Sequence, residues 1–226
     1  MKIISHRGYA EDNIENTLRA FKQASEYSDI IELDVRSSKD NIPIVFHDEN
    51  INRLCGYDIP ISKIESNKLN QYTISTSNEF IPKLSTVVSE IDIPILVELK
   101  DEHIIDKTLE ICEKSNNKII YQSFNPDIIR AIPKEYTRFL LCTPTKFLNK
   151  DGISPNSITN IQKGLEFADN ENIDGLSIHH SMLNNQINNI NYDIFVWTIR
   201  SINEFNRVTD YAINGVISDS KKYIQS

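Results

Sequence analysis

Two carboxylates stand two residues apart in an apolar run, Ile30-Ile31-Glu32-Leu33-Asp34-Val35. In an extended chain alternate side chains share a face. Glu32 and Asp34 are therefore neighbours, with Ile31, Leu33 and Val35 on the other side. A carboxylate in a buried strand is costly unless it is paired or holds a metal. The pattern returns in "IPILVELK", where Glu98 and Lys100 again share a face. Glu32, Asp34 and Glu98 form an all-oxygen set suited to a hard divalent cation, Mg2+ or Ca2+. His6 and Arg7 follow the first apolar run, and His47 lies in "IPIVFHD". Two histidines suit proton transfer in both directions. Arg7 and Lys100 suit phosphate oxygens. A cation site, an acid/base pair and anion-binding side chains together can cleave a phosphoester.

Each residue also has an ordinary reading. Glu32-x-Asp34 fits the solvated face of an edge strand, and Glu98-x-Lys100 a surface ion pair. His103 reads as surface, and His179 and His180 as satisfied or exposed rather than as ligands. Trp197, the single tryptophan, reads as core filling on composition. Joint placement at strand ends favours the chemical reading.

Strands are expected at 2–5, 29–35, 42–48, 93–100, 118–124, 137–143, 173–180, 192–200 and 213–219. Helical spacing falls at 15–27, 103–114, near 157–170 and in "SINEFNRVTDYA", with a short helix in "NPDIIRAI". The turn signal "SKDN" folds 42–48 back on 33–39 as a hairpin, which sets His47 opposite Asp34 to within about a residue. With that partner set aside, eight strands alternate with helices, the pattern of a (β/α)8 TIM barrel with its site at the strand C-termini. An open doubly wound sheet is disfavoured, because no Gly-x-Gly-x-x-Gly follows the first strand. Residues 49–90 are polar and irregular and read as a small insertion on one domain spanning 1–226.

The 226 residues are 39% apolar and 25% charged, as expected of a globular domain with a full core. A net charge of −8 argues against a nucleic-acid partner, although a phosphorylated small molecule needs only a local positive site. Three scattered cysteines, Cys55, Cys112 and Cys142, form no Cys-x-x-Cys and fit a reducing cytoplasm. The start "MKIISHRGYA" is too polar for a signal peptide, and no apolar run is long enough to span or stably insert in a membrane.

The ordered set "HRG", "ENT", "ELD", "FHD", "ELK", "QSF", "VWT" and closing "GVISD" resembles the glycerophosphodiester phosphodiesterase family, from His6 to Asp219. The resemblance implies a TIM barrel with a small insertion, between about Asn50 and Ile81, that helps cap the site, and a return to the barrel at "IPKL". It makes His6 and His47 the acid/base pair and Glu32, Asp34 and Glu98 the ligands of one divalent cation. It brings Arg7 and Lys100 to the phosphate, and Phe124 and Trp197 to the pocket wall. The implied reaction releases glycerol 3-phosphate and an alcohol from a small glycerophosphodiester. Departures are peripheral: Ile14 replaces a usual Pro, Arg200 a usual Asn, and "AINGVISD" differs at Ala212, Asn214 and Ser218. Arg200 adds charge or bulk at the rim and bears on substrate preference. Alternatives are a lysophospholipid or other diester as substrate, or a barrel that only binds a phosphorylated ligand. A metal-dependent amidohydrolase lacks its usual His-x-His after the first strand.

Overall fold

The computed structural model describes residues 1–74, 77–150 and 153–224. Nine strands form one sheet: β1 (Lys2–Ser5), β2 (Ile30–Ser37), β3 (Pro43–Val45), β4 (Ile95–Leu99), β5 (Ile119–Ser123), β6 (Thr137–Cys142), β7 (Gly175–His179), β8 (Asp193–Ile199) and β9 (Gly215–Ser218). Eight are parallel, and β1 pairs with both β2 and β9, so the sheet closes into a barrel. β3 lies outside the ring, antiparallel to β2, with Val35 opposite Val45. Continuing that register puts His47 across from Leu33, one residue from Asp34.

The inward side chains explain why one end of this barrel is packed and the other reactive. Ile4, Ile30, Leu96, Ile120, Phe139, Phe195 and Ile217 form a plug inside the lower barrel. Burial of each such side chain is worth about 1.5–3 kcal/mol. Phe139 lies over Gly175, where a Cβ would come within 2.5 Å of its ring. Two residues further along each strand the chemistry changes, because side chains two apart share a face. Ile4 gives way to His6, Ile30 to Glu32, Leu96 to Glu98, Ile120 to Gln122, Phe195 to Trp197 and Ile217 to Asp219.

The outward faces of the strands pack against α1 (Leu18–Ala24), α3 (Leu84–Glu90), α4 (Ile105–Glu113), α5 (Pro126–Ala131), α6 (Ile161–Glu171) and α7 (Ile202–Val208) in one large core. α2 (Asn52–Cys55) belongs to the insertion. Thr17, Asn125, Asn160 and Ser201 cap their helices by accepting backbone N–H bonds, which satisfies donors a helix leaves open. α3 lies within the stretch read as irregular. Its buried Leu84, Val87 and Val88 share a helical face, but adjacent β-branched Thr86, Val87 and Val88 disguise it. Between β7 and β8 the chain makes short 3-10 turns instead of an α-helix.

Ile51, Cys55, Ile61, Ile64, Leu69, Ile74 and Ile81 pack on Ile44 and Phe46, forming a small core beside the barrel. The chain returns where Val45 donates to the Pro82 carbonyl at 2.9 Å. All three cysteines are unpaired and buried. No helix among the described residues is long and apolar enough to cross a membrane.

Candidate active site

The turn after β1 delivers the first two groups. Arg7 has φ +51°, in the left-handed region, and its backbone N–H donates to Glu32 Oε2 at 3.1 Å. Gly8 follows at φ +80°, and a Cβ there would meet the Cβ of Ala20 at 2.8 Å. A side chain at position 8 would therefore be strained and would push α1 off the turn. His6 Nδ1 is hydrogen-bonded to Asp219 Oδ1 at the end of β9.

β2 and β4 run side by side with Asp34 opposite Glu98, which brings three acids together. One oxygen each from Glu32, Asp34 and Glu98 lies within 4.8 Å of the others, and all three residues are buried. Ligands sharing one cation at roughly 2.0–2.6 Å sit at such spacings, and carboxylate oxygens suit Mg2+ or Ca2+. The donor set fits a single hard divalent ion.

Two cations hold the acids. Lys100 Nζ is 3.0 Å from Asp34 Oδ1 and is also bonded to Glu98. Arg7 Nε is 3.1 Å from Asp34 Oδ2, which also accepts from Asn16 Nδ2 at 2.8 Å. Burial works against ionisation of Asp34, but Lys100, Arg7 and His47 hold its carboxyl well below the usual range. Glu32 has only Arg7 to favour its charged form, through the backbone N–H and the more distant guanidinium. Burial, then the charges of Asp34 and Glu98, push its carboxyl well above the usual range. Of the three acids, Glu32 is the one whose charged form the metal-free site disfavours most.

His47 has its Nδ1 2.7 Å from Asp48 Oδ1. Burial, then Lys100, lowers its pKa below that of an ordinary imidazole. Arg36 Nε donates to the His47 carbonyl at 2.6 Å and fixes the end of the hairpin. Arg53, from α2, clamps this arrangement. Its Nε donates to Asp48 Oδ2 at 2.7 Å, while Nη1 and Nη2 donate to Glu15 at 2.9 and 2.7 Å. Glu15 in turn accepts from Arg7 Nη1 at 3.0 Å. One insertion side chain thus ties the partner of His47 to the partner of Arg7.

His6, Arg7, Glu32, His47 and Glu98 line one side of a pocket of about 110 Å³. Phe124, Leu141, Phe147, Ile153, His179, Trp197 and Arg200 line the other. Phe124 and Trp197 meet edge to face at 5.3 Å, and Trp197 Nε1 donates to the Ser177 carbonyl at 3.0 Å. Asp34 lies behind the wall, fully buried. Lys100 also stands behind it: its side chain is 2% exposed, with the ammonium between Asp34 and Glu98. His179 lines the pocket and His180 faces Glu204, while His103 lies within the 3-10 turn Glu102–Ile104.

Sequence reasoning gave no role to Glu15, Asn16, Asp48 or Arg53. Glu15 and Asn16 stood in the noticed "ENT" and Asp48 in "FHD", so their positions were flagged without their bonds. Nothing local marked Arg53, whose partners are 38 and five residues away.

The glycerophosphoryl diester phosphodiesterase family model matches residues 6–222. The chain belongs to this family. It is an enzyme of the barrel type. A Thermotoga maritima glycerophosphodiester phosphodiesterase structure superposes with a TM-score of 0.80 at 28% identity, covering 96% of this chain and 93% of that one. YhdW of Bacillus subtilis is 27% identical over 99% of this chain and 96% of its own length. A human lysophospholipase D is 32% identical over 61% of this chain, a match that spans 42% of that protein.

Proposed function

We propose that this enzyme hydrolyses glycerophosphodiesters to glycerol 3-phosphate and an alcohol, in a metal-dependent reaction with His6 and His47 as the acid/base pair. One observation carries the reading: two imidazoles, each held at Nδ1 by a carboxylate, line a pocket beside three converging acids. Tying Nδ1 leaves Nε2 as the nitrogen available to substrate on both rings. One histidine takes the proton of the attacking hydroxyl, and the other protonates the departing alkoxide. When the attacker is the neighbouring glycerol hydroxyl, water then opens the cyclic phosphate to glycerol 3-phosphate; when it is water, glycerol 3-phosphate forms directly. Asp219 and Asp48 fix ring orientation and stabilise the imidazolium when it forms.

Glu32, Asp34 and Glu98 would hold one divalent ion, Mg2+ or Ca2+, which when bound supplies positive charge against the phosphate oxygens. Arg7, on the pocket wall, binds a phosphate oxygen. Lys100 reaches the phosphate only when Asp34 and Glu98 are otherwise engaged, since in their absence of other partners they hold its ammonium. Phe124 and Trp197 pack against the organic part of the substrate. The domain acts as one barrel, 1–226, whose insertion at about 50–81 contributes Arg53 beside the site. Unpaired cysteines fit residence in the cytoplasm.

A second reading has one observation in its favour. Phe124, Leu141, Phe147 and Ile153 give the pocket an apolar wall that could lie along an acyl chain, as in a lysophospholipid.

Release of glycerol 3-phosphate from a panel of glycerophosphodiesters, with and without Mg2+ or Ca2+, tests the main reading. Divalent-dependent release is expected. Binding of glycerol 3-phosphate without turnover of any diester would leave only a ligand-binding barrel. Turnover confined to lysophospholipids would favour the second reading.

A further inference from the structure

The reaction leaves open which alcohols depart, and the wall opposite the acids bears on that choice. Arg200 lines the pocket with a side chain 59% exposed. Its Nε is bonded to Asp219, and no other Arg200 side-chain atom has a hydrogen bond among the described residues. Lys146 Nζ lies 5.0 Å from the centre of the Phe147 ring, itself a wall residue. Arg207 donates to His180, next to the wall residue His179. Among the described residues neither Lys146 nor Arg207 has a carboxylate at ion-pair distance, and both are exposed. Among the described residues the acids that pair with these groups are Asp219, shared with His6, and Glu204, which accepts from the Arg200 backbone N–H at 2.7 Å. Among the described residues three cations against two acids leave this rim positive, on a chain whose net charge is −8.

The field registers on a neighbouring ring. Burial first, then His180, Lys146, Arg200 and Arg207, brings the His179 imidazole down to about 3. His179 therefore adds no charge of its own near neutral pH, and the lysine and arginines set the sign of the rim.

Aromatic walls can attract a quaternary ammonium through their ring faces. Here Lys146 already stands over Phe147, and Trp197 meets both Phe124 and His179 edge to face. A cationic headgroup would have to displace one cation and approach two others. An anionic group would meet open donors on Arg200.

We propose that this rim selects glycerophosphodiesters whose leaving alcohol carries an anionic group, with Arg200 and Lys146 as its specificity-determining residues. This rests on the phosphodiesterase reading and deepens it. The shared chemistry is negative charge, and the anion can be a carboxylate or a phosphate.

Two matched pairs of substrates test it, at low ionic strength with added divalent ion. Glycerophosphoserine differs from glycerophosphoethanolamine by a carboxylate, and glycerophosphoinositol 4-phosphate differs from glycerophosphoinositol by a phosphate. The anionic member of at least one pair is expected to show a kcat/KM about three- to tenfold higher, the range of an exposed ion pair or charged hydrogen bond. Which pair responds identifies the anion. The ratio should fall towards one in 0.5 M NaCl. It should also fall in Arg200→Gln and Lys146→Gln, whatever those changes do to absolute rates through Asp219. Wild-type ratios of one or less in both pairs would overturn the proposal while leaving the phosphodiesterase reading intact. So would ratios that persist in both variants. Hydrolysis of none of the four diesters would overturn both.

Discussion

The two walls of the pocket are built on opposite plans. On the β2–β4 side the charged groups have named partners: Asp34 with Arg7 and Lys100, Glu98 with Lys100, Asp48 with His47 and Arg53. Arg53 then ties two of those partners together. On the β6–β8 side, rings meet at 4.9–5.3 Å, and cations stand at the rim with few partners. A buried charge network tolerates little change, because each removal strands another charge. Apolar and aromatic contacts tolerate repacking. The charged wall is therefore suited to fixed chemistry, and the aromatic wall to a changeable choice of substrate.

Changes to the charged wall should be the more severe. Replacing His6 or His47 with Ala should cost roughly 10²–10⁴ of the rate, the range for lost general acid–base catalysis. Near-normal turnover in both variants would reject their roles. Removing Asp34 takes one of two carboxylate partners from each of Arg7 and Lys100, which keep Glu15 and Glu98, so Asp34→Ala should cost about 3 kcal/mol of stability in denaturant unfolding, the low end for breaking a buried pair.

Glu32→Gln should behave differently from that change. It removes a charge that burial and the neighbouring acids disfavour in the metal-free protein, so the fold should lose little stability. The two acids also give opposite pH signs in metal-free protein. The contribution of Glu32 is complete below the ordinary carboxylate range and is lost as pH rises through its elevated pKa. The contribution of Asp34 is present above the ordinary range and is lost as pH falls through its depressed pKa. Thermal melts of wild type and Glu32→Gln across pH should converge in acid and separate towards neutral pH, with the variant the more stable. Parallel curves would contradict the raised pKa of Glu32.

How much of this was legible in sequence follows from range. The ladder Ile30–Glu32–Asp34 could be read directly, because strand periodicity is local and its face is set two residues at a time. The hairpin placed His47 to within one residue for the same reason, a short turn fixing the register. Lys100 was expected at the phosphate from its charge at a strand end and from the family resemblance, and its ion pairs behind the wall became visible only with β2 and β4 side by side. Arg53 had no local signal, since its bonds to Glu15 depend on where the insertion folds back. The plug at the lower end was readable as apolar strands, but the crossing of Phe139 over Gly175 was not.

Two smaller effects sharpen the contrast. Arg53→Gln removes the clamp without removing any pocket residue. Activity should fall roughly 10–100-fold, as for other partners that orient site groups, and the pH–rate profile should shift as Asp48 loses its restraint on His47. An unchanged profile with lower stability would mark Arg53 as merely structural. On the other wall, Phe147→Leu should alter KM by only a few-fold at nearly constant kcat, because it removes contact with bound substrate and no charge. A large fall in kcat there would erase the distinction between the walls.

The most direct test is calorimetric titration of metal-free wild type and Glu32→Gln with Mg2+ and with Ca2+ at neutral pH. One ion per chain should bind to the wild type with release of protons, and binding should be lost or much weaker in the folded variant. Equal binding by both proteins, or none by the wild type, would contradict a cation centre built from Glu32, Asp34 and Glu98.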